Sequence, residues 1–291
     1  MEREVGRASP WRKVVVYLLL IIWSVISLFP ILWIFLTSLK QQVDVISMPP
    51  KLFNFIPTLD NYRIVLNLVE YTGLGEISRV NFLAYFKNSL IIVPSAVLLS
   101  LLLGIPVAYV MARYRFKLRE NLYFFFLSLY FMPAVVILIP LYLVYLKLKL
   151  YDTHLGLIFI LQLVNLPLVV LIMRSFFEDI SPEIEQSALV DGSSRLKAFF
   201  KITLPLSRPA LMATIFLCTI FSWNNFIFGV ILSRTRTQPA TVGILAFKSY
   251  EAIMWGQMAA ASVITAIPVL ILAILIQKYI VRGLSLGAVK G

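Results

Sequence analysis

Residues Ser181–Pro205 read SPEIEQSALVDGSSRLKAFFKITLP, a polar and amphipathic stretch set between apolar runs at about 155–173 and about 210–232. Ser181 suits an N-cap, Pro182 the first helical position and Glu183 the positive end of the helix dipole. The pattern predicts a helix of about two turns ending at Val190. Asp191-Gly192 follows, where glycine can take the left-handed conformation that closes a helix. Ser193 or Ser194 can cap a second helix with Leu196, Phe199 and Phe200 on one face and Arg195, Lys197 and Lys201 largely off it. Pro205 is expected to end that helix and Pro209 to open the next apolar run. The stretch thus predicts a short helix, a glycine hinge and an amphipathic helix lying along a membrane surface.

The runs on either side make it a membrane chain. Of 291 residues, 60% are hydrophobic and 14% charged, with a mean hydropathy of +0.90. Soluble domains carry about 45–50% apolar and about 25% charged residues. The excess falls into six runs, at about 14–39, 88–112, 121–146, 155–173, 210–232 and 259–281. Each matches a hydrocarbon core of roughly 30 Å at about 1.5 Å per helical residue. The first is too long for a signal peptide and ends in Thr37-Ser38-Leu39-Lys40, so it is expected to stay as a helix. Pro94 and Pro106 fall in the second run, and Pro133 and Pro140 in the third. The expected fold is an all-α membrane protein with six transmembrane helices.

The net charge of +12 sits at the ends of these runs, which points to topology signals and lipid headgroups and away from nucleic acid. Segments 1–13, 113–120, 174–208 and 278–291 hold 16 of the 26 lysines and arginines. That bias places both termini in the cytoplasm. Among the longer outer segments, Thr58 to Arg63 resembles a capped short helix, while Gly73-Leu74-Gly75 falls short of a dinucleotide fingerprint. Cys218, the single cysteine, lies inside an apolar run, and His154, the single histidine, lies in a polar loop beside Asp152. Neither can build a metal site alone.

The spacing within 181–205 resembles the signature loop of ABC importer permeases: Glu-Ala-Ala, three residues, Gly, nine residues, Ile, one residue, Leu-Pro. Here Gln186-Ser187-Ala188 stands at the triplet, followed by Gly192, Ile202 and Leu204-Pro205. Further segments resemble the carbohydrate (maltose-type, binding-protein-dependent) branch, in order along the chain. They are Asn61-Tyr62, Tyr85 to Ser89, Ala112 to Phe116, Leu171 to Phe177, Trp223-Asn224-Asn225-Phe226, and Val281 to Gly291.

The resemblance implies the type I permease fold, divided into a cytoplasmic N-terminus (1–13), a six-helix domain (14–281) holding an inner coupling loop (176–208), and a cytoplasmic tail (282–291). It implies docking on an ATPase through Glu185, Gln186, Ser187, Ala188, Asp191, Gly192, Leu204 and Pro205. In the family the triplet glutamate can pair with a basic residue of the ATPase. Gln186 keeps the length and loses the charge, and Glu185, about 100° around the helix, substitutes only in a slightly rotated docking. The implied partners are a homologous second permease, two ATPase subunits, an extracytoplasmic solute-binding protein and the bilayer of a bacterial or archaeal inner membrane. No phosphate-binding Gly-x4-Gly-Lys-Ser/Thr occurs, so this chain is expected to be no enzyme and to bind no cofactor, with ATP and Mg held by the partner subunits.

Within the fifth run, Ser222, Trp223, Asn224 and Asn225 combine amides with an aromatic, which suits a sugar's hydroxyls and ring face. The other reading is hydrogen bonding that glues the bundle, which is the favoured one for Gln162 and Asn165. A secondary active transporter is the alternative function. Its proton coupling would want a titratable group within a span, and none of the six runs has an interior Asp, Glu or His. An intramembrane enzyme lacks its HExxH, and a channel would leave the inner loop without a role.

Overall fold

The computed structural model describes residues 10–68, 80–248 and 253–287. The basic Arg3 and Arg7, Gly73-Leu74-Gly75 and the last four residues of the tail lie outside the described residues. Among the described residues the regular structure is helical, apart from one isolated antiparallel bridge between Lys248 and Ile253. The helices are α1 (Pro10–Ser38), α2 (Gln42–Val45), α3 (Asp60–Val65), α4 (Phe82–Arg113), α5 (Arg119–Phe131), α6 (Ala134–Lys147), α7 (His154–Ile160) and α8 (Gln162–Asp179). Then come α9 (Pro182–Val190), α10 (Arg195–Ala198), a π-helical turn (Phe199–Thr203), α11 (Leu204–Leu206), α12 (Arg208–Trp223), α13 (Ile227–Leu232), α14 (Ala240–Gly243) and α15 (Trp255–Gly287).

Three helices, α1, α4 and α15, are long and apolar enough to cross a bilayer unbroken. Three further candidates are bent pairs: α5 with α6 at 95°, α7 with α8 at 41°, and the helical stretch 195–206 with α12 at 73°. Counted as one span each, they bring the total among the described residues to six.

Three expected spans are broken, the fourth by the 41° bend at Leu161 between α7 and α8. The third breaks at Met132-Pro133, where Met132 is extended (φ −69°, ψ 125°), the conformation imposed on a residue before proline. The fifth stops at Trp223 and resumes at Ile227. Pro94 and Pro106 leave α4 unbroken, as Pro268 does α15, because neighbouring groups in a bundle satisfy the backbone a proline frees.

The chain forms two compact units, Met1–Val80 with Phe247–Ile264, and Asn81–Ala246 with Thr265–Gly291. In the first, Asn61 Nδ2 donates to the carbonyls of Ser38 (2.9 Å) and Lys40 (2.8 Å), closing the end of α1 onto α3. The apolar side chains of α1 from Trp11 to Phe35 are exposed almost all round. In the second, α4 lies closely along α8: a Cβ on Gly104 would stand 2.7 Å from a Val169 methyl. Val93, Val97, Ala108, Leu168, Val169, Met173, Phe177, Phe199 and Trp223 belong to its main core.

Candidate functional site

Pro182 opens α9 as expected, but Ser181 makes no side-chain cap, which leaves the first-turn carboxylates Glu183 and Glu185 to complement the dipole. The far end closes in a Schellman motif. Ser193 N–H donates to Ala188 O (2.9 Å), Gly192 N–H to Leu189 O (3.1 Å), and Gly192 has φ +84°. Ser194 Oγ then accepts from Lys197 N–H (3.3 Å) and starts α10.

Pro205 does not end the following helix. It has no N–H to carry the α-helical ladder, and the chain widens instead into a π turn, with Leu204 N–H reaching Phe199 O. The proline then occupies the first turn of α11, which stops at Ser207. The expected common face of Leu196, Phe199 and Phe200 is also split. Phe199 is buried against Tyr109 (ring centroids 4.6 Å) and Phe177 (6.2 Å), while Leu196 and Phe200 are exposed.

The residues expected to dock on an ATPase differ in their exposure on and around α9. Gln186, Ser187, Asp191 and Gly192 are exposed, with Val190 beside them 86% exposed. Ala188 is buried beneath them, and Leu204 and Pro205 are half-buried. Glu185 takes the inward side. It is buried, and its carboxylate accepts from Arg113 Nε (2.8 Å), Tyr109 OH (2.8 Å) and Thr203 Oγ1 (2.8 Å). A rotated docking that offers Glu185 to a partner would break all three bonds, so this residue is committed to the bundle. Tyr109 and Arg113 stand four apart at the end of α4 and therefore on one face, a spacing visible in the sequence. A second charged cluster joins α5 to α8. Arg174 Nε donates to Glu178 (3.0 Å), its Nη2 to Glu120 (3.2 Å), its guanidinium covers the Tyr123 ring (4.3 Å), and Arg119 also pairs with Glu178.

The polar quartet of the fifth run does not sit mid-helix. Ser222 is buried and exchanges hydrogen bonds with Asn165 (2.7 and 3.1 Å). Trp223 Nε1 donates to Thr265 O (3.0 Å), and its ring meets the Phe86 ring edge-on (6.1 Å). Asn225 Oδ1 accepts from Phe228 N–H (3.1 Å) in the first turn of α13, just past the break. Asn224 is exposed in the break. Gln162 is likewise held internally, by Ser100 (2.6 Å) and the carbonyls of Ile158 and Ala96.

Beside Trp223, Val93, Val97, Ile215, Thr219 and Val269 line a cavity of ≈ 360 Å³ between α4, α12 and α15. Thr219 spends its donor on Ile215 O (2.8 Å), so the lining is largely apolar and offers a sugar hydroxyl little to bond.

At the opposite end of α4, sequence reading missed a second organising carboxylate. Asp152 (φ 53°) accepts from the backbone N–H groups of Arg234 (3.1 Å), Thr235 (3.3 Å), Arg236 (3.2 Å) and Thr237 (3.2 Å), and from Thr237 Oγ1 (3.0 Å). Burial alone would push its pKa up, but the backbone donors outweigh it and hold the carboxyl at about 2. His154 is half-buried and bonds Asn88 Oδ1 (2.9 Å), while Asn88 Nδ2 donates to Arg236 O (2.9 Å) and Gln238 O (3.0 Å). The Asp-Thr-His run at 152–154, with Thr153 as the cap of α7, was the available signal. Among the described residues no His, Cys, Asp and Glu cluster could hold a metal.

Residues 100–286 match the model of the family described as the binding-protein-dependent transport system inner membrane component. The chain is 33% identical over 273 residues to an inner membrane ABC transporter permease protein of Escherichia coli (strain K12), covering 94% of each. It is 35% identical over 289 residues to the trehalose/maltose transport system permease protein of Thermococcus litoralis, covering 98% of this chain and 99% of that one. In three dimensions it is similar to a chain of a bacterial ABC transporter involved in the import of the polysaccharide alginate. That match has a TM-score of 0.75 at 25% identity, over 96% of this chain and 100% of the other. With its bundle of apolar helices and the loop between α8 and α12, the chain belongs to the binding-protein-dependent transport system inner membrane components, as a multi-pass permease subunit and not an enzyme.

Proposed function

We propose that this chain, paired with a homologous second permease, forms the pathway for a carbohydrate delivered by an extracytoplasmic binding protein, and that residues 176–208 dock on an ATPase subunit. The observation that carries the reading is the two-sided α9. Its outer corner, Gln186, Ser187 and Leu189 to Gly192, is exposed and ends in a left-handed glycine, while Glu185 fastens the inner side to the bundle. A surface so fixed from behind and bare in front suits a rigid docking element. The names of the relatives support a sugar cargo: one is called a trehalose/maltose permease and another belongs to an alginate importer.

In this reading residues 1–13 and 282–291 are cytoplasmic, residues 14–281 form the transmembrane domain, and the coupling loop faces the cytoplasm. The charge bias of the sequence supports that orientation. ATP and Mg belong to the partner ATPases, whose closure moves the docked loops. The bare apolar surface of α1 is placed against lipid or the second permease. Of the quartet, Asn224 is the side chain left to meet a solute, because Ser222, Trp223 and Asn225 are engaged in hydrogen bonds within the chain.

Gly192→Trp tests the docking. A Cβ at this position meets nothing within 4 Å, so the chain has space for a larger residue, at a left-handed backbone cost of about 1–2 kcal/mol that thermal unfolding reads separately. The variant should insert in the membrane, lose ATP-driven uptake in proteoliposomes holding the whole complex, and shed the ATPase. Undiminished uptake sinks the reading.

A further inference from the structure

Glu185 and Arg113 are a charge pair with nine-tenths of each side chain buried, where losing one partner strands the other charge. Its three donors come from two elements besides α9: Tyr109 and Arg113 from α4, and Thr203 from the π turn. The Tyr109 ring is itself wedged between Phe177 (5.8 Å) and Phe199 (4.6 Å). Contacts of 2.8 Å leave little play, since a slip of about 1 Å takes them beyond hydrogen-bonding range. The helix α4 then runs unbroken for 32 residues, about 48 Å, and near its other end Asn88 holds the carbonyls of Arg236 and Gln238.

We propose that Glu185 is the positioning residue that passes movement of the docking helix to α4, which carries it as a rod to the loop 233–238 at the opposite end of the unit. The proposal rests on the loop's reading as an ATPase dock and assigns Glu185 the inward half of the task. The outward half belongs to Gln186 through Gly192. Glu185 touches no partner. It acts by making α9, the π turn and the end of α4 move together.

The test uses the whole complex, reconstituted in proteoliposomes with ATPase, second permease and binding protein. Glu185→Gln keeps the side-chain length and removes the charge. Tyr109→Phe is the milder variant, removing one donor while keeping the ring packed. Two quantities are read: ATPase retained per permease on purification, and solute moved per ATP hydrolysed. Glu185→Gln should retain the ATPase at wild-type stoichiometry and lower the solute-to-ATP ratio at least about tenfold, the scale of a lost charged hydrogen bond. Tyr109→Phe should lower it less. Glu185→Gln combined with Arg113→Gln should fall no further than Glu185→Gln alone, because the two act as one unit.

An unchanged ratio in Glu185→Gln overturns the proposal, as does shedding of the ATPase, which would make Glu185 part of the docking surface. Should Glu185→Gln fail to accumulate, Tyr109→Phe decides, and an unchanged ratio there overturns it equally. A wild-type complex that holds no ATPase would instead sink the docking reading itself, and this inference with it.

Discussion

Two carboxylates organise opposite ends of the second unit, and they do it with different donors. Asp152 accepts from the backbone N–H groups of four consecutive residues, 234 to 237, joined by the hydroxyls of Thr235 and Thr237, and does not use the exposed side chains of Arg234 and Arg236. Glu185 accepts from three side chains separated from it by 76, 72 and 18 positions. A backbone nest fixes the shape of a loop with little regard to most of the side chains it carries, whereas a side-chain knot depends on every residue in it. The first leaves a surface free to vary. The second binds three elements into one moving part.

The largest effect that sharpens this contrast belongs to Gly192, in the same loop as the knot. Gly192→Ala should cost the isolated chain only about 1–2 kcal/mol for a left-handed alanine. Uptake lost well beyond that scale therefore reports a partner pressing on the corner, and uptake lost only in proportion to stability says that nothing docks there. Asp152→Ala comes next, with a loss of about 1–3 kcal/mol for backbone donors stripped of a charged acceptor, read in thermal unfolding of the purified protein. Arg234→Ala and Arg236→Ala should stay within about 0.5 kcal/mol of wild type in the same assay. If they fall as far as Asp152→Ala, the loop depends on its side chains and the contrast fails.

Asn225→Ala should lose about 1 kcal/mol with its bond to the first turn of α13, without the loss of coupling expected at Glu185. The smallest effect is the pH dependence. A carboxyl held at about 2 in the fold stabilises it above the unfolded value, near 4, and that contribution fades as pH falls through the folded one. The stability gap between wild type and Asp152→Asn should be full at pH 6 and shrink as pH falls from about 4 toward 2. A gap that is flat with pH would mean the carboxylate's charge is not what holds the loop.

The apolar runs could be read from the sequence because bilayer thickness dictates their length, and α9 because Pro182 and Gly192 mark its ends by backbone geometry alone. The breaks at Met132-Pro133 and Asn224-Asn225 were hidden. Proline and asparagine inside an apolar run fit an unbroken membrane helix as well as a cap, and tertiary partners decide between the two. The hydrogen bond of Ser222 could not be read from the sequence for a related reason. Its partner Asn165 is 57 positions away, and sequence spacing says nothing about helices that meet only in the bundle. The Glu185 knot shares that difficulty, although Tyr109 and Arg113 at helical spacing marked one of its faces.

The most direct test of the account is proximity at the exposed corner. With Cys218, which is buried, replaced by alanine, a cysteine placed at Gln186 should form a crosslink to the ATPase subunit in the assembled complex when a short bifunctional thiol-to-lysine reagent is added. A cysteine placed instead at Glu185 should form none, because that side chain faces α4. An intact, transporting complex that gives no Gln186→Cys crosslink, or one that crosslinks equally from position 185, would contradict the two-sided loop on which the function rests.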